Sequence, residues 1–137
     1  MQAINWTNFL LDDRSVKAIF GPSAPTLNRI NLHEIILHRD GPTVVMRFDI
    51  QEFPVPAPKK WSSSGFNRVQ LRLASLGVHL LNIKGLSTNM AADININRKN
   101  NFIHICVAGD TIHCEFTADF LLLESISAYR DDSLISR

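Results

Sequence analysis

The chain has 137 residues, 45% hydrophobic and 20% charged, with a formal net charge of +1. That length supports one core, and that balance excludes wholesale disorder, a polybasic nucleic-acid surface and a basic membrane-binding patch. The longest apolar runs fall far short of the roughly twenty residues of a spanning helix, and the opening M-Q-A-I-N-W-T-N lacks the basic leader and apolar stretch of a secretory signal. The expectation is a single cytoplasmic domain over residues 1–137, its two cysteines suited to a reducing compartment.

In chain order, D-D-R-S-V-K-A-I-F-G-P predicts a short helix: Asp12 stands at the N-cap, Val16, Ile19 and Phe20 recur at helical spacing, and Gly21-Pro22 ends it. Residues 29–53 predict one long β-hairpin. Val44, Met46, Phe48 and Ile50 alternate with Val45, Arg47 and Asp49, the period of a strand with one face on a core. Asp40-Gly41 supplies the turn, and Pro42, which has no N–H to return, widens it to a loop over 39–42. In that register Leu37 faces Val44, Ile35 faces Met46 and His33 faces Phe48 on the apolar side, while Glu34 lies opposite Arg47 on the other. His33 therefore reads as a satisfied core histidine that cannot converge with Glu34, because neighbours along a strand point to opposite faces.

The next stretch, F-P-V-P-A-P-K-K-W-S-S-S-G-F-N, has proline at every second position from 54 to 58. It predicts an extended crossing with neither regular strand nor helix, pinned onto the core by Trp61 and Phe66. R-V-Q-L-R-L predicts a half-buried strand with Val69, Leu71 and Leu73 inward and Arg68, Gln70 and Arg72 outward. V-H-L-L-N-I-K reads as a less regular strand ended by Gly85, and L-S-T-N-M-A as a connection. Residues 93–97, 102–107 and 112–116 lay out as three strands joined at 98–101 and at Gly109-Asp110. Ile94, Ile96, Ile103, Ile105, Val107, Ile112, Cys114 and Phe116 then share one face. F-L-L-L-E-S-I-S-A-Y, apolar on both faces at first, predicts a central or closing strand, and R-D-D-S-L-I-S-R a loose tail. The sum is an α+β fold: a short N-terminal helix packed on a largely antiparallel, curved β-sheet of about seven or eight strands.

On the face opposite that core the register gathers His104, Cys106, His113 and Glu115, with Cys106 across from His113 and His104 across from Glu115. Two histidines and a cysteine are legitimate zinc ligands, and three ligands plus water would make a catalytic site. The CxxC and HExxH spacings are absent, so the face reads as a partly covered polar surface and neither metal nor cofactor is assigned. There is also no G-x-S-x-G and no phosphate-cradling glycine loop, so no catalytic residue and no enzyme activity is assigned. Cys106 and Cys114 fall on opposite faces, which excludes a mutual disulfide.

The segments L-H-E-I-I-L-H-R-D-G-P-T-V-V-M-R-F-D-I, F-P-V-P-A-P-K-K-W and G-F-N-R-V-Q-L-R-L together resemble the immunity protein 50 family, bacterial proteins encoded beside polymorphic toxins. The resemblance spans residues 32–73 and includes His33, Arg47, Asp49, Trp61, Asn67 and Gln70. It implies a small cytoplasmic protein that neutralises the toxic domain encoded by a neighbouring gene, through stoichiometric binding and with no nucleic-acid or membrane partner. Self-association is left open. The candidate contacts are Trp61 as aromatic anchor, with Glu34, Arg47, Asp49, Glu52, His104, His113 and Glu115 supplying polar complementarity. Two other readings stay open on sequence: a small-molecule or glycan-binding β domain with an aromatic-lined pocket, and a metal-dependent hydrolase built on His104, Cys106 and His113.

Overall fold

The computed structural model describes residues 5–135. Residues 1–4, part of the opening read as lacking a leader, and the last two residues of the predicted tail lie outside the described residues. The alternating stretches fold as β1 (Ile30–His38), β2 (Thr43–Ile50), β3 (Arg68–Leu76), β4 (His79–Lys84), β5 (Ala91–Lys99), β6 (Phe102–Gly109), β7 (His113–Ala118) and β8 (Phe120–Tyr129). They form one eight-stranded sheet in the order β4-β7-β6-β5-β1-β2-β3-β8, every neighbouring pair antiparallel.

The sheet has a weak seam. β1 and β5 pair only through Ile30 with Ala92 and Asn31 with Ala91, whereas β2 and β3 pair along eight residues. Either side of the seam lies a four-stranded half, β1-β2-β3-β8 and β5-β6-β7-β4. Their inner faces meet in one hydrophobic cluster, with Met46, Phe48, Leu71, Leu73 and Leu121 from the first half and Ile94, Ile105, Val107 and Phe116 from the second. The curvature follows from that shared core: both apolar faces are removed from water only if the sheet bends towards itself.

The helical pieces cover the ends. A 3-10 turn at Trp6–Phe9 is capped by Asn5, and the buried indole N–H of Trp6 donates to the Pro25 carbonyl at 2.8 Å. α1 (Arg14–Phe20) buries Val16 and stops at Gly21, whose φ of 69° suits a residue without a side chain. Its N-cap is Asp13, one residue later than expected, because Asp12 is taken by Arg14. The hydrogen-bonded Arg14 guanidinium and backbone N–H pull the Asp12 carboxyl down to about 2.

A second helix, α2 (Lys59–Ser63), overturns the expectation that the proline-rich stretch holds no regular structure. The alternating prolines end at Pro58, which occupies the N-cap, where the missing N–H deprives the helix of nothing. One turn then follows and seats Trp61 on the core, 6.0 Å from the Phe53 ring.

The inner face predicted for β5, β6 and β7 is borne out, but the β6–β7 register slides by two residues. Gly109 N–H bonds the Ile112 carbonyl, so the loop closes later than a turn centred on Gly109-Asp110. Cys106 therefore stands across from Glu115, not His113, and His104 across from Thr117, not Glu115. An even slide leaves every side chain on its predicted face. β4 is an edge strand with all six residues exposed. It ends at Gly85, where an added Cβ would sit 1.6 Å from the Thr111 carbonyl oxygen.

β8 is the other edge strand rather than a central one, and Leu11 N–H reaches across to its Leu121 carbonyl at 2.9 Å. The tail is not loose at its start. Asp131 exchanges hydrogen bonds with the Asn67 side chain at 2.7 and 3.1 Å, and Asp132–Leu134 form a 3-10 turn. Among the described residues no helix is long and apolar enough to cross a membrane.

Candidate functional site

The feature that builds the site is a bulge in β1. Leu32 pairs with Phe48 and Glu34 with Arg47, so His33 is the extra residue between them. Before the bulge the even positions Ile30 and Leu32 face the core; after it Ile35 and Leu37 pair with the inward-facing Met46 and Val44. The core-facing positions thus switch from even to odd, with Ile35 partly buried against the cluster and Leu37, nearer the hairpin tip, 55% exposed; the switch takes one extra residue, and that residue turns outward. The expected pairing of His33 with Phe48 on the apolar side is thus corrected. His33 and Glu34 both reach the outer face, contrary to the expectation that they could not converge.

There His33 Nε2 lies 2.8 Å from Asp49 Oδ2. The same oxygen accepts a hydrogen bond from the Tyr129 hydroxyl, and Oδ1 accepts from Gln70 Nε2 at 3.0 Å. Asp49 is only 2% exposed. A carboxylate so buried is tolerable because three side chains on three other strands donate to it, each such bond worth about 1.5–3 kcal/mol. Burial and the bond to Asp49 push the Tyr129 hydroxyl up to about 12.

One step along the strands lies a half-exposed row of alternating charge. Arg47 Nε donates to Glu34 Oε1 at 3.0 Å, and Arg72 lies 3.5 Å from both Glu34 and Glu124. On the far side Arg68 reaches Asp131 at 3.4 Å. Beyond Asn31, β1 parts from β5, leaving a cleft of about 420 Å³ between its free edge and the 85–90 connection. The cleft is lined by residues that include His33, Glu34, Ile35, Leu37, Ile83 and Leu86, and by no phenylalanine, tyrosine or tryptophan.

The other candidates do not converge here. His104, His113 and Glu115 lie across the seam, on the outer face of β6 and β7, where His104 Nε2 bonds Glu115 Oε2 at 2.9 Å. The donor atoms of Cys106, His113 and Glu115 lie within 4.8 Å of one another, the one cluster among the described residues with the geometry to hold a metal ion. Burial pushes the Cys106 thiol up, helped by the Glu115 charge, and burial raises Cys114, on the core side, to about 11. Trp61 is half-buried against Phe53, and Glu52 accepts the Thr26 N–H at 3.1 Å.

Sequence reasoning missed His33, read as a core histidine, and Gln70, Arg72, Glu124 and Tyr129 as members of the site. Gln70 and Arg72 follow once β2 and β3 are paired, since they stand opposite Asp49 and Arg47. The parity break between Leu32 and Ile35 was the signal for the bulge. Nothing local marks Tyr129, which arrives from 80 residues beyond Asp49.

Neither the curated proteins nor the solved structures contain a match to the chain. The family model for Immunity protein 50 matches residues 12–129, from the foot of α1 to the end of β8, and the chain belongs to the Immunity protein 50 family.

Proposed function

We propose that this protein is a cytoplasmic antidote: it binds the toxic domain of a polymorphic toxin encoded beside it and neutralises that domain by stoichiometric occupation, with no reaction of its own. The observation that carries this reading is the family match along nearly the whole chain. The contact surface we assign is the outer face of β1, β2, β3 and β8. Its half-exposed row of Glu34, Arg47, Arg72 and Glu124 offers both signs of charge, which favours one oriented partner over a generic polyion.

The buried Asp49 is a positioning residue in this scheme. It fixes His33, Gln70 and Tyr129 before any partner arrives, which lowers the ordering cost of association. A footprint of roughly 800 Å² per partner, centred on Glu34 and Arg47, leaves out His104, His113 and Glu115 across the seam. Trp61 and Glu52 then act as anchors of their own loops.

The test is co-expression with the C-terminal domain of the adjacent toxin gene, scored for survival and for a co-purifying complex. Rescue with a one-to-one complex is the expected result, and a toxic neighbour that is neither bound nor neutralised overturns the reading. Glu34→Ala with Arg72→Ala weakens that complex by about tenfold or more. An unchanged affinity places the contact surface elsewhere.

A further inference from the structure

We propose that Cys106, His113 and Glu115 form a zinc-binding site on the outer face of the β6–β7 hairpin, apart from the toxin-binding face. The donors are a thiol sulfur, an imidazole nitrogen and a carboxylate oxygen, a mixed set that suits zinc and excludes magnesium and calcium, which take oxygen ligands.

The backbone supplies the placement. Cys106 stands directly across from Glu115, and His113 lies two residues before Glu115 on the same strand and therefore on the same face. Antiparallel pairing fixes these three Cβ positions whatever the side chains do, and the three donor atoms already lie within 4.8 Å of one another. Tetrahedral zinc with bonds of about 2.0–2.3 Å sets its ligand atoms about 3.4–3.6 Å apart. Drawing them in by about an ångström takes side-chain rotation alone.

The surroundings match what a ligating carboxylate needs. His104 Nε2 bonds Glu115 Oε2 at 2.9 Å, which orients the carboxylate and leaves Oε1 for the ion. All three ligands are half-buried, so the ion has one side in the protein and one facing solvent. Three protein ligands leave the fourth position to water or to a donor from a bound partner. Binding releases the Cys106 thiol proton to solvent as the sulfur becomes a thiolate ligand, so affinity rises with pH.

The experiment uses the full chain, stripped with a chelator and titrated with zinc against a chromogenic zinc chelator. One equivalent binds, and Cys106→Ser or His113→Ala lowers the affinity by about a hundredfold, while His104→Ala lowers it by about tenfold and keeps the stoichiometry. Cobalt(II) in place of zinc shows the thiolate-to-cobalt charge-transfer band, which Cys106→Ser abolishes. On the unmutated protein zinc slows thiol labelling of Cys106 by about tenfold or more, a readout that needs no variant to fold. Zinc binding that survives in Cys106→Ser/His113→Ala, or an absent thiolate band together with unprotected labelling, overturns the site.

Discussion

Either side of the β1–β5 seam, the same architecture carries two different outer faces. In the β1-β2-β3-β8 half, one buried carboxylate gathers side chains from β1, β3 and β8, and the next row interlocks Glu34, Arg47, Arg72 and Glu124. In the β5-β6-β7-β4 half, Cys106, His113 and Glu115 stand close without bonding one another, tied down among the described residues only where His104 meets Glu115, and β4 is exposed along its whole length. Bonds that radiate from a buried charge fix side chains in advance, as recognition by rigid complementarity requires. Donors that stand together unbonded keep their capacity for a ligand that will organise them.

The contrast breaks first at Asp49. Asp49→Ala leaves His33, Gln70 and Tyr129 without their common acceptor and costs about 2–4 kcal/mol, read as a lower urea midpoint at unchanged slope. The matching change across the seam, Glu115→Ala in chelator-treated protein, removes one bond from a carboxylate that is 47% exposed and costs less than about 1 kcal/mol. Equal losses at the two positions would mean that the outer faces are held alike.

What could be read in advance follows the same line. Parity is set by apolar alternation, which a half-buried strand carries in its own residues, so the inner faces of β2, β3, β5, β6 and β7 were legible, while β4, exposed throughout, carried no such signal. Register depends on how many residues a turn or bulge absorbs. The β6–β7 loop took two more than a tight turn, and β1 took one extra at His33. The first slip was even and left the faces intact; the second was odd and moved a histidine from the core to the site. His33, Asp49 and Gln70, three of the residues that carry the family resemblance, are joined in the Asp49 network. Their place in the resemblance is therefore explained by the fold of the face, and Arg47, another of those residues, lies in the charged row beside them. α2 was hidden because prolines that forbid a helix within a stretch also start one just beyond it.

A smaller effect sharpens the picture at Tyr129, the one tyrosine in the sequence, whose ionisation absorbance is therefore a site-specific signal. Burial and the Asp49 bond raise its hydroxyl from 10.0 to about 12. The folded chain thus holds this proton more tightly than the unfolded chain. The resulting stability is whole below pH 10 and is lost as pH rises through 12. An ultraviolet titration is expected to show a midpoint near 12 in native protein and near 10 in denaturant, and Asp49→Ala is expected to bring the native midpoint down. A native midpoint at 10 would mean that Tyr129 does not belong to the network.

The smallest effect lies on the reverse side of the same half. Ser75 on β3 stands between Val44 on β2 and Leu121 on β8, faces the core, is 0% exposed, and its hydroxyl has no hydrogen-bond partner among the described residues. A hydroxyl desolvated among apolar neighbours loses its water and gains nothing in exchange, so removing it relieves a penalty while vacating little volume. Ser75→Ala is expected to leave stability unchanged or raise it by up to about 1 kcal/mol, measured by urea denaturation beside Asp49→Ala. Opposite signs at two fully buried polar positions in adjacent strands would locate the order of this half on its outer face, in bonds to a charge, and not in polar groups of the core. A loss above about 1 kcal/mol at Ser75 would instead show that its hydroxyl is bonded in solution and that the core side shares in holding the face.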